Sequence, residues 1–116
     1  MSIIIVVEDE VIIGEYLSDI LTDKGYSVIA VANADDAIAM LETRDDVRGI
    51  ITDINMPGPI NGLNLAATVR ERWPQIKIII TTGQARPKIE EVPPGSLYLR
   101  KPYTPGSVMA AVLSLF

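Results

Sequence analysis

Four short apolar runs in this chain end in charged or hydroxyl side chains, and this arrangement restricts the fold more than any other feature. The runs cover residues 3–7, 49–52, 78–80 and 97–99, and the residues that end them are Glu8 and Asp9, Asp53, Thr81 and Thr82, and Arg100 and Lys101. Amphipathic stretches separate the runs. Such alternation is typical of strand–helix–strand units in a parallel sheet. We predict strands near residues 3–7, 27–31, 48–52, 76–81 and 96–99.

The amphipathic stretches predict helices with recognisable ends. Asn33 is a typical N-cap for the second helix, and Pro74 ends a third helix over about residues 63–72. Thr104 and Pro105 are typical of the start of the last helix. In the first helix, apolar residues recur at helical spacing, so we expect them to face the core: Ile12, Ile13, Tyr16, Leu17, Ile20 and Leu21.

Five consecutive strand–helix units in 116 residues predict an α/β fold, a flavodoxin-like (βα)5 doubly wound parallel sheet with strand order 2-1-3-4-5. Pro87, Pro93 and Pro94 interrupt the fourth connection and limit its helix to a turn or two around residues 88–91, so the fourth helix is expected to be shortened. The predicted order places the carboxyl ends of strands one and three side by side, where open α/β sheets bind ligands.

Composition excludes several classes of function. The chain has no cysteine and no histidine, which excludes thiolate nucleophiles, Cys-type zinc sites and histidine acid–base catalysis. The net charge of −5 argues against direct nucleic-acid binding. No apolar run approaches the ~18 residues that span a bilayer, and no signal peptide is evident, so we expect no membrane insertion and a cytoplasmic location.

Glu8, Asp9 and Asp53 are expected to meet at the carboxyl edge of the sheet. Two carboxylates about 4 Å apart repel by about 4 kcal/mol at an effective dielectric of about 20, so such a cluster requires protonation or a cation. Mg²⁺ is the simpler remedy, because it prefers oxygen ligands, including a backbone carbonyl from the loop after Asp53. Lys101 and Thr82 end neighbouring strands and would add a fixed cation and a hydroxyl donor. These groups together suit phosphoryl transfer to a carboxylate.

The chain resembles the receiver domain of two-component response regulators along its whole length. The resemblance rests on VVEDE with Glu8 and Asp9, ITDINMPG with Asp53 and Asn55, IIITTG with Thr82, and LYLRKPY with Tyr98, Lys101 and Pro102. It implies that residues 1–116 form one receiver domain of the single-domain type. The same sequence is compatible with a module excised from a longer regulator.

The resemblance also implies a role for each site residue. Asp53 would accept a phosphoryl group from a histidine kinase or a histidine phosphotransfer protein, and the domain would catalyse only its own phosphorylation and dephosphorylation. Asp9, Asp53 and the main-chain carbonyl of Asn55 would bind Mg²⁺, or Mn²⁺ in its place, with Glu8 acting through water. Lys101 would pair with Asp53, and the peptide bond between Lys101 and Pro102 would be cis.

The resemblance implies a switch between two packing arrangements. Thr82 would move toward the phosphoryl oxygens, and the ring of Tyr98 would turn inward into the vacated space. The altered face would lie on strands four and five and the last helix, and would modulate binding of a downstream protein. Its candidate contact residues are Arg86, Lys88, Tyr98 and Tyr103. We expect a monomer or a weak dimer.

Three other functions compete with this interpretation. A phosphatase of the haloacid dehalogenase type also uses a strand-end aspartate, but it has a second aspartate two residues later, where this chain has Asn55. A flavodoxin-like nucleotide binder would place phosphate after strand one, where Glu8, Asp9 and Glu10 would repel it. A degenerate receiver acting as a scaffold would have lost reactive residues, and none is missing here.

Overall fold

A five-stranded parallel sheet with helices on both faces forms the described part of the chain. The structure is a computed structural model and describes residues 3–56, 58–83, 93 and 95–115. The strands are β1 (Ile3–Val7), β2 (Ser27–Val31), β3 (Val47–Asp53), β4 (Lys77–Thr82) and β5 (Leu97–Arg100), and the helices are α1 (Val11–Asp23), α2 (Ala34–Thr43), α3 (Gly62–Arg72) and α4 (Pro105–Leu115). The order β2-β1-β3-β4-β5 confirms the predicted flavodoxin-like topology.

Side chains of the central strands pack into two separate hydrophobic clusters. Ile3, Ile5 and Val7 belong to the cluster beneath α2 and α3. Ile4 and Val6 belong to the cluster beneath α1 and α4. Because side chains alternate along a strand and both faces of this sheet are covered, every position of β1 is buried. The carboxyl edge of the sheet is therefore where these strands can present polar groups.

Local capping fixes where the helices begin. The side chain of Asn33 accepts a hydrogen bond from the Asp36 amide at 2.8 Å, and the Thr104 hydroxyl accepts one from the Ser107 amide at 3.1 Å, as predicted. Helix α3 begins one residue before the predicted position, at Gly62, because Asn61 and Asn64 form a reciprocal capping box. This cap was not predicted from the sequence.

The predicted core stripe of α1 is wrong at two positions. Ile12 is 81% exposed and Tyr16 is 40% exposed, whereas Leu17 and Leu21 are buried. Helix α1 starts only four residues after β1 ends, so its first turn lies beside the carboxyl edge of the sheet and has no strand beneath it. Helical spacing identifies an apolar stripe but not how far the sheet extends below it.

Strand ends differ from the prediction by one residue, and the difference affects the site. Asp53 is the last residue of β3 and Thr82 the last of β4, rather than the first residue beyond each strand. The predicted short helix around residues 88–91 lies outside the described residues, as do Arg86 and Lys88. Within residues 3–56, 58–83 and 95–115, each helix falls short of the length and apolar character that crossing a membrane requires.

Candidate functional site

Lys101 joins two acidic residues from different strands at the carboxyl edge of the sheet. Its Nζ atom donates hydrogen bonds to Oε1 of Glu8 at 2.9 Å and to Oδ2 of Asp53 at 3.1 Å. Glu8 directly follows β1, Asp53 ends β3 and Lys101 directly follows β5. The order of the strands therefore brings together three residues that are distant in sequence.

Burial and the neighbouring charges shift the pKa values of Glu8 and Lys101 in opposite directions. The Glu8 side chain is 1% exposed and that of Asp53 is 7% exposed. Burial raises the pKa of Glu8, even though its hydrogen bond from Lys101 favours the charged form. Burial alone would lower the pKa of Lys101, but hydrogen bonds to Glu8 and Asp53 outweigh it and raise that pKa. Lys101 is consequently a fixed ammonium at neutral pH.

Glu8, Asp9 and Asp53 form the acidic cluster that the sequence predicts. Each offers a carboxylate oxygen, and these oxygens lie within 4.8 Å of one another. Three carboxylates and the single ammonium of Lys101 leave a net charge of −2. An all-oxygen set of anionic ligands suits a hard divalent cation such as Mg²⁺, so the residues present fit that metal.

The three acids differ in how free they are to bind a cation directly. Both carboxylate oxygens of Glu8 have partners, because Oε2 also accepts a hydrogen bond from the Glu10 amide at 3.2 Å. Asp9 is exposed.

Asn55 is also exposed and lies two residues beyond β3, and the Ile54 amide before it donates to the Thr81 carbonyl at 3.1 Å. The loop thus leaves the sheet from a fixed point.

Thr82 and Tyr98 lie on neighbouring strands of the same sheet face. Ile80 pairs with Tyr98 in register, and Thr82 lies two residues beyond Ile80. Because side chains alternate, Thr82 and Tyr98 point to the same face. Thr82 is fully buried, whereas Tyr98 is half-buried with its hydroxyl oxygen inaccessible to solvent.

The backbone after β5 is tied to the end of β4. The Lys101 amide donates to the Thr82 carbonyl at 2.9 Å, and the Lys101–Pro102 peptide bond is cis. Gly83 follows Thr82, and a methyl group there would make only ordinary contacts of 3.8 Å with the Lys101 side chain. This part of the edge is therefore not crowded by its own backbone.

Two buried threonine hydroxyl groups lie beside Asp53, and no role was predicted for either of them from the sequence. The Thr52 hydroxyl donates to the main-chain carbonyl of Asp53 at 3.0 Å. Thr81 pairs with Asp53 in register, and its buried hydroxyl has no hydrogen-bond partner among the described residues. Each threonine is the polar residue just before the last residue of its strand, and this position beside the carboxyl edge is the signal that could have drawn attention to it.

A groove with mostly apolar walls adjoins the site. Its volume is about 470 Å³, and it is lined by Ile12, Ile13 and Tyr16 of α1, by Gly83, and by residues 101–103. The rings of Tyr16 and Tyr103 stack, with centroids 6.2 Å apart and an interplanar angle of 19°. Lys101 lines this groove and also contacts two residues of the acidic cluster, so the two features are continuous.

Tyr103 contributes an uncharged wall to this groove. Burial raises the pKa of its hydroxyl to about 12, and that oxygen has no hydrogen-bond partner among residues that the structure describes. The ring is therefore neutral at every pH at which the protein would work.

Comparison with known proteins gives a consistent result. Residues 4–113 match the family model for the response regulator receiver domain. The chain is 33% identical over 103 residues to the response regulator protein FleR of Pseudomonas aeruginosa. The aligned region covers 86% of this chain and 21% of FleR. It is 39% identical over 80 residues to the hydrogenase transcriptional regulatory protein HoxA of Cupriavidus necator, covering 69% of this chain and 16% of HoxA. The chain thus spans about a fifth or less of the length of these two relatives.

Solved structures resemble the whole chain. A response regulator receiver protein from Sinorhizobium medicae aligns with a TM-score of 0.88 and 32% identity, over 99% of this chain and 93% of that one. The response regulator protein TrrA of Thermotoga maritima, solved in complex with Mg²⁺ and BeF, aligns with a TM-score of 0.88 and 28% identity over the full length of both chains.

We predict that Asp9→Asn stabilises the metal-free protein by about 1 kcal/mol, because it removes repulsion without breaking the ion pairs of Lys101. The variant should also lose most of the stabilisation that added Mg²⁺ gives the parent chain. Both effects are measured by urea denaturation, first with a chelator and then with a large excess of Mg²⁺, about 10 mM. The control is Asp45→Asn, which replaces an exposed acid two residues before the start of β3, at the end of the strand that is far from the site. Equal or lower metal-free stability in Asp9→Asn would contradict the repulsion argument.

Proposed function

The chain belongs to the family of response regulator receiver domains, and from this premise we propose that it is a signalling switch in which Asp53 accepts a phosphoryl group. The observation that carries the proposal is the convergence of Asp53 with Lys101 and two further acids at one sheet edge. We propose that residues 1–116 act as a single receiver module.

The transfer step needs little from the protein beyond position and charge. One carboxylate oxygen of Asp53 attacks phosphorus, the bond from phosphorus to the donor histidine nitrogen breaks, and the electron pair of that bond stays on the imidazole. Lys101 already contacts Oδ2 of Asp53, so its ammonium lies within reach of the new phosphoryl group. A fixed ammonium offsets developing negative charge without reorganising during the reaction.

Asp9, Asp53 and the main-chain carbonyl of Asn55 are the proposed magnesium ligands, and Glu8 acts through water. The saturation of both Glu8 oxygens by Lys101 and the Glu10 amide supports this indirect role. When bound, Mg²⁺ would offset the charge of the carboxylates and of the phosphoryl oxygens. The complex of TrrA with Mg²⁺ and BeF supports the same metal for this chain.

Receiver domains of response regulators interact with histidine kinases or phosphotransfer proteins. For this chain we propose that the phosphodonor protein contacts the groove between α1 and residues 101–103. A donor must bring its phosphohistidine to Asp53, so the donor has to contact the protein surface beside Lys101. The groove begins at Lys101. Ile12, 81% exposed at the groove, is an apolar side chain that such contact would bury.

We propose that phosphorylation alters the sheet face that carries Thr82 and Tyr98. The Thr82 hydroxyl would move to a phosphoryl oxygen, and the Tyr98 ring would occupy the space it leaves. Their placement on one face of adjacent strands supports this coupling. The altered face would then select a downstream protein.

Acetyl phosphate with Mg²⁺ is expected to add one phosphoryl group to the chain, and Asp53→Asn is expected to abolish the addition, because an amide is not a nucleophile of this kind. Intact-protein mass spectrometry measures the change. Asp45→Asn is the control and should label like the parent. Undiminished labelling of Asp53→Asn would refute the assignment of the acceptor.

Thr82→Ala should leave labelling largely intact and weaken the conformational response of β5. The measurement is the amide chemical-shift change at residues 97–100 when beryllofluoride and Mg²⁺ are added. Thr22→Ala, at an exposed helix position, should respond like the parent. A full response in Thr82→Ala would rule out the proposed coupling to Tyr98.

Ile12→Lys should slow phosphotransfer from a protein donor about tenfold and leave labelling by acetyl phosphate unchanged, since only the protein donor needs the groove. The donor is a phosphorylated histidine phosphotransfer protein that labels the parent chain. Leu113→Lys, at a 70% exposed residue in a separate groove with Lys24 and Tyr26, is the matched control. Equal transfer rates for the two lysine variants would place the donor elsewhere.

A further inference from the structure

We infer that Gly62 is a positioning residue for Asp53: the absence of a side chain at the start of α3 lets that helix lie directly against the main chain of the acceptor. A Cβ atom at Gly62 would overlap the carbonyl oxygen of Asp53. It would also lie 2.7 Å from the carbonyl carbon of Asp53 and 2.8 Å from Cα of Ile54. All three of these atoms belong to the backbone, so no rotation of a side chain can relieve the contact.

Hydrogen bonds hold the same short segment from three directions. The Gly62 amide donates to the Ile54 carbonyl at 2.9 Å, and the Ile54 amide donates to the Thr81 carbonyl at 3.1 Å. The Thr52 hydroxyl donates to the Asp53 carbonyl at 3.0 Å. The peptide units on the C-terminal side of Asp53 are therefore fixed between β4, Thr52 and the first residue of α3.

Helix α3 cannot easily retreat from this contact. Its first turn is fixed by the capping box of Asn61 and Asn64. Its inner face is fixed by the fully buried side chains of Leu65 and Val69. Because packed interiors transmit strain rather than absorb it, a methyl group at Gly62 would displace the main chain of Asp53 and Ile54.

Displacement at this point would affect the carboxylate of Asp53 and the carbonyl of Asn55 together. This inference rests on the proposed function, in which the first is the acceptor and both bind the metal. A misplacement of about 1 Å in a reacting group can cost about 100-fold in rate. Gly62 would act through Asp53 and would not touch the phosphoryl group itself.

The test is Gly62→Ala, with the rate of phosphorylation measured at saturating acetyl phosphate and Mg²⁺, and Mg²⁺ affinity measured by calorimetry. We expect the rate to fall at least about tenfold and Mg²⁺ binding to weaken. Gly14→Ala is the matched control: a methyl group there makes only an ordinary contact, 3.8 Å from Cβ of Glu8. Leu41→Ala separates positioning from general stability, because it destabilises the core beneath α2. Folded Leu41→Ala should phosphorylate at the parent rate.

Thr52→Val provides a second variant in case Gly62→Ala does not fold. It removes the hydroxyl bond to the Asp53 carbonyl and adds no atom, and we expect a rate about fivefold lower. If Gly62→Ala folds, the inference is overturned when both it and Thr52→Val phosphorylate at the parent rate. If Gly62→Ala does not fold, the inference is overturned when Thr52→Val phosphorylates at the parent rate. If the parent chain itself fails to label, the proposed function fails, and Gly62 is then judged on Mg²⁺ affinity alone.

Discussion

The ammonium of Lys101 is the interaction on which the functional edge of this protein depends. It joins Glu8 and Asp53, two buried carboxylates that arrive on different strands. Removing such ions from water costs several kcal/mol each, and the attraction of a shared cation offsets much of that cost. One ammonium cannot neutralise two carboxylates, and Asp9 adds a third negative charge. The edge therefore keeps an excess of negative charge that a divalent cation would offset.

The sheet gives this edge its rigidity. Every residue of β1 is buried, and β3 is buried at all but one of its positions, so the last residues of both strands have little freedom. Parallel pairing fixes how far each strand extends, and the backbone bond from Lys101 to Thr82 fixes the end of β5 against β4. Groups held on strands in this way keep their geometry better than groups held on loops.

Much of this arrangement could be predicted from the sequence, because it follows from local rules. Apolar runs identified the strands, and strand order followed from the number of units. The placement of Glu8, Asp9, Asp53 and Lys101 at one edge followed from both. Tyr16 was wrongly assigned to the core, since its exposure depends on where the sheet ends beneath α1.

The contact at Gly62 could not be predicted, for a different reason. A glycine in a loop with other glycines and prolines looks like a turn residue, and its φ angle here is not positive. What requires glycine is the approach of α3 to the main chain of Asp53, which exists only once the helix has packed on the sheet. Tertiary distances of this kind leave no periodic trace in a single sequence.

The stacked tyrosines beside the site give the groove a wall whose charge does not change. Tyr103 does not ionise below strongly alkaline pH, and its hydroxyl has no hydrogen bond to any described residue. Its wall of the groove therefore presents the same uncharged ring whatever charge the neighbouring acids carry. In the proposed contact with a donor protein, this ring would therefore offer the same apolar surface before and after phosphorylation of Asp53.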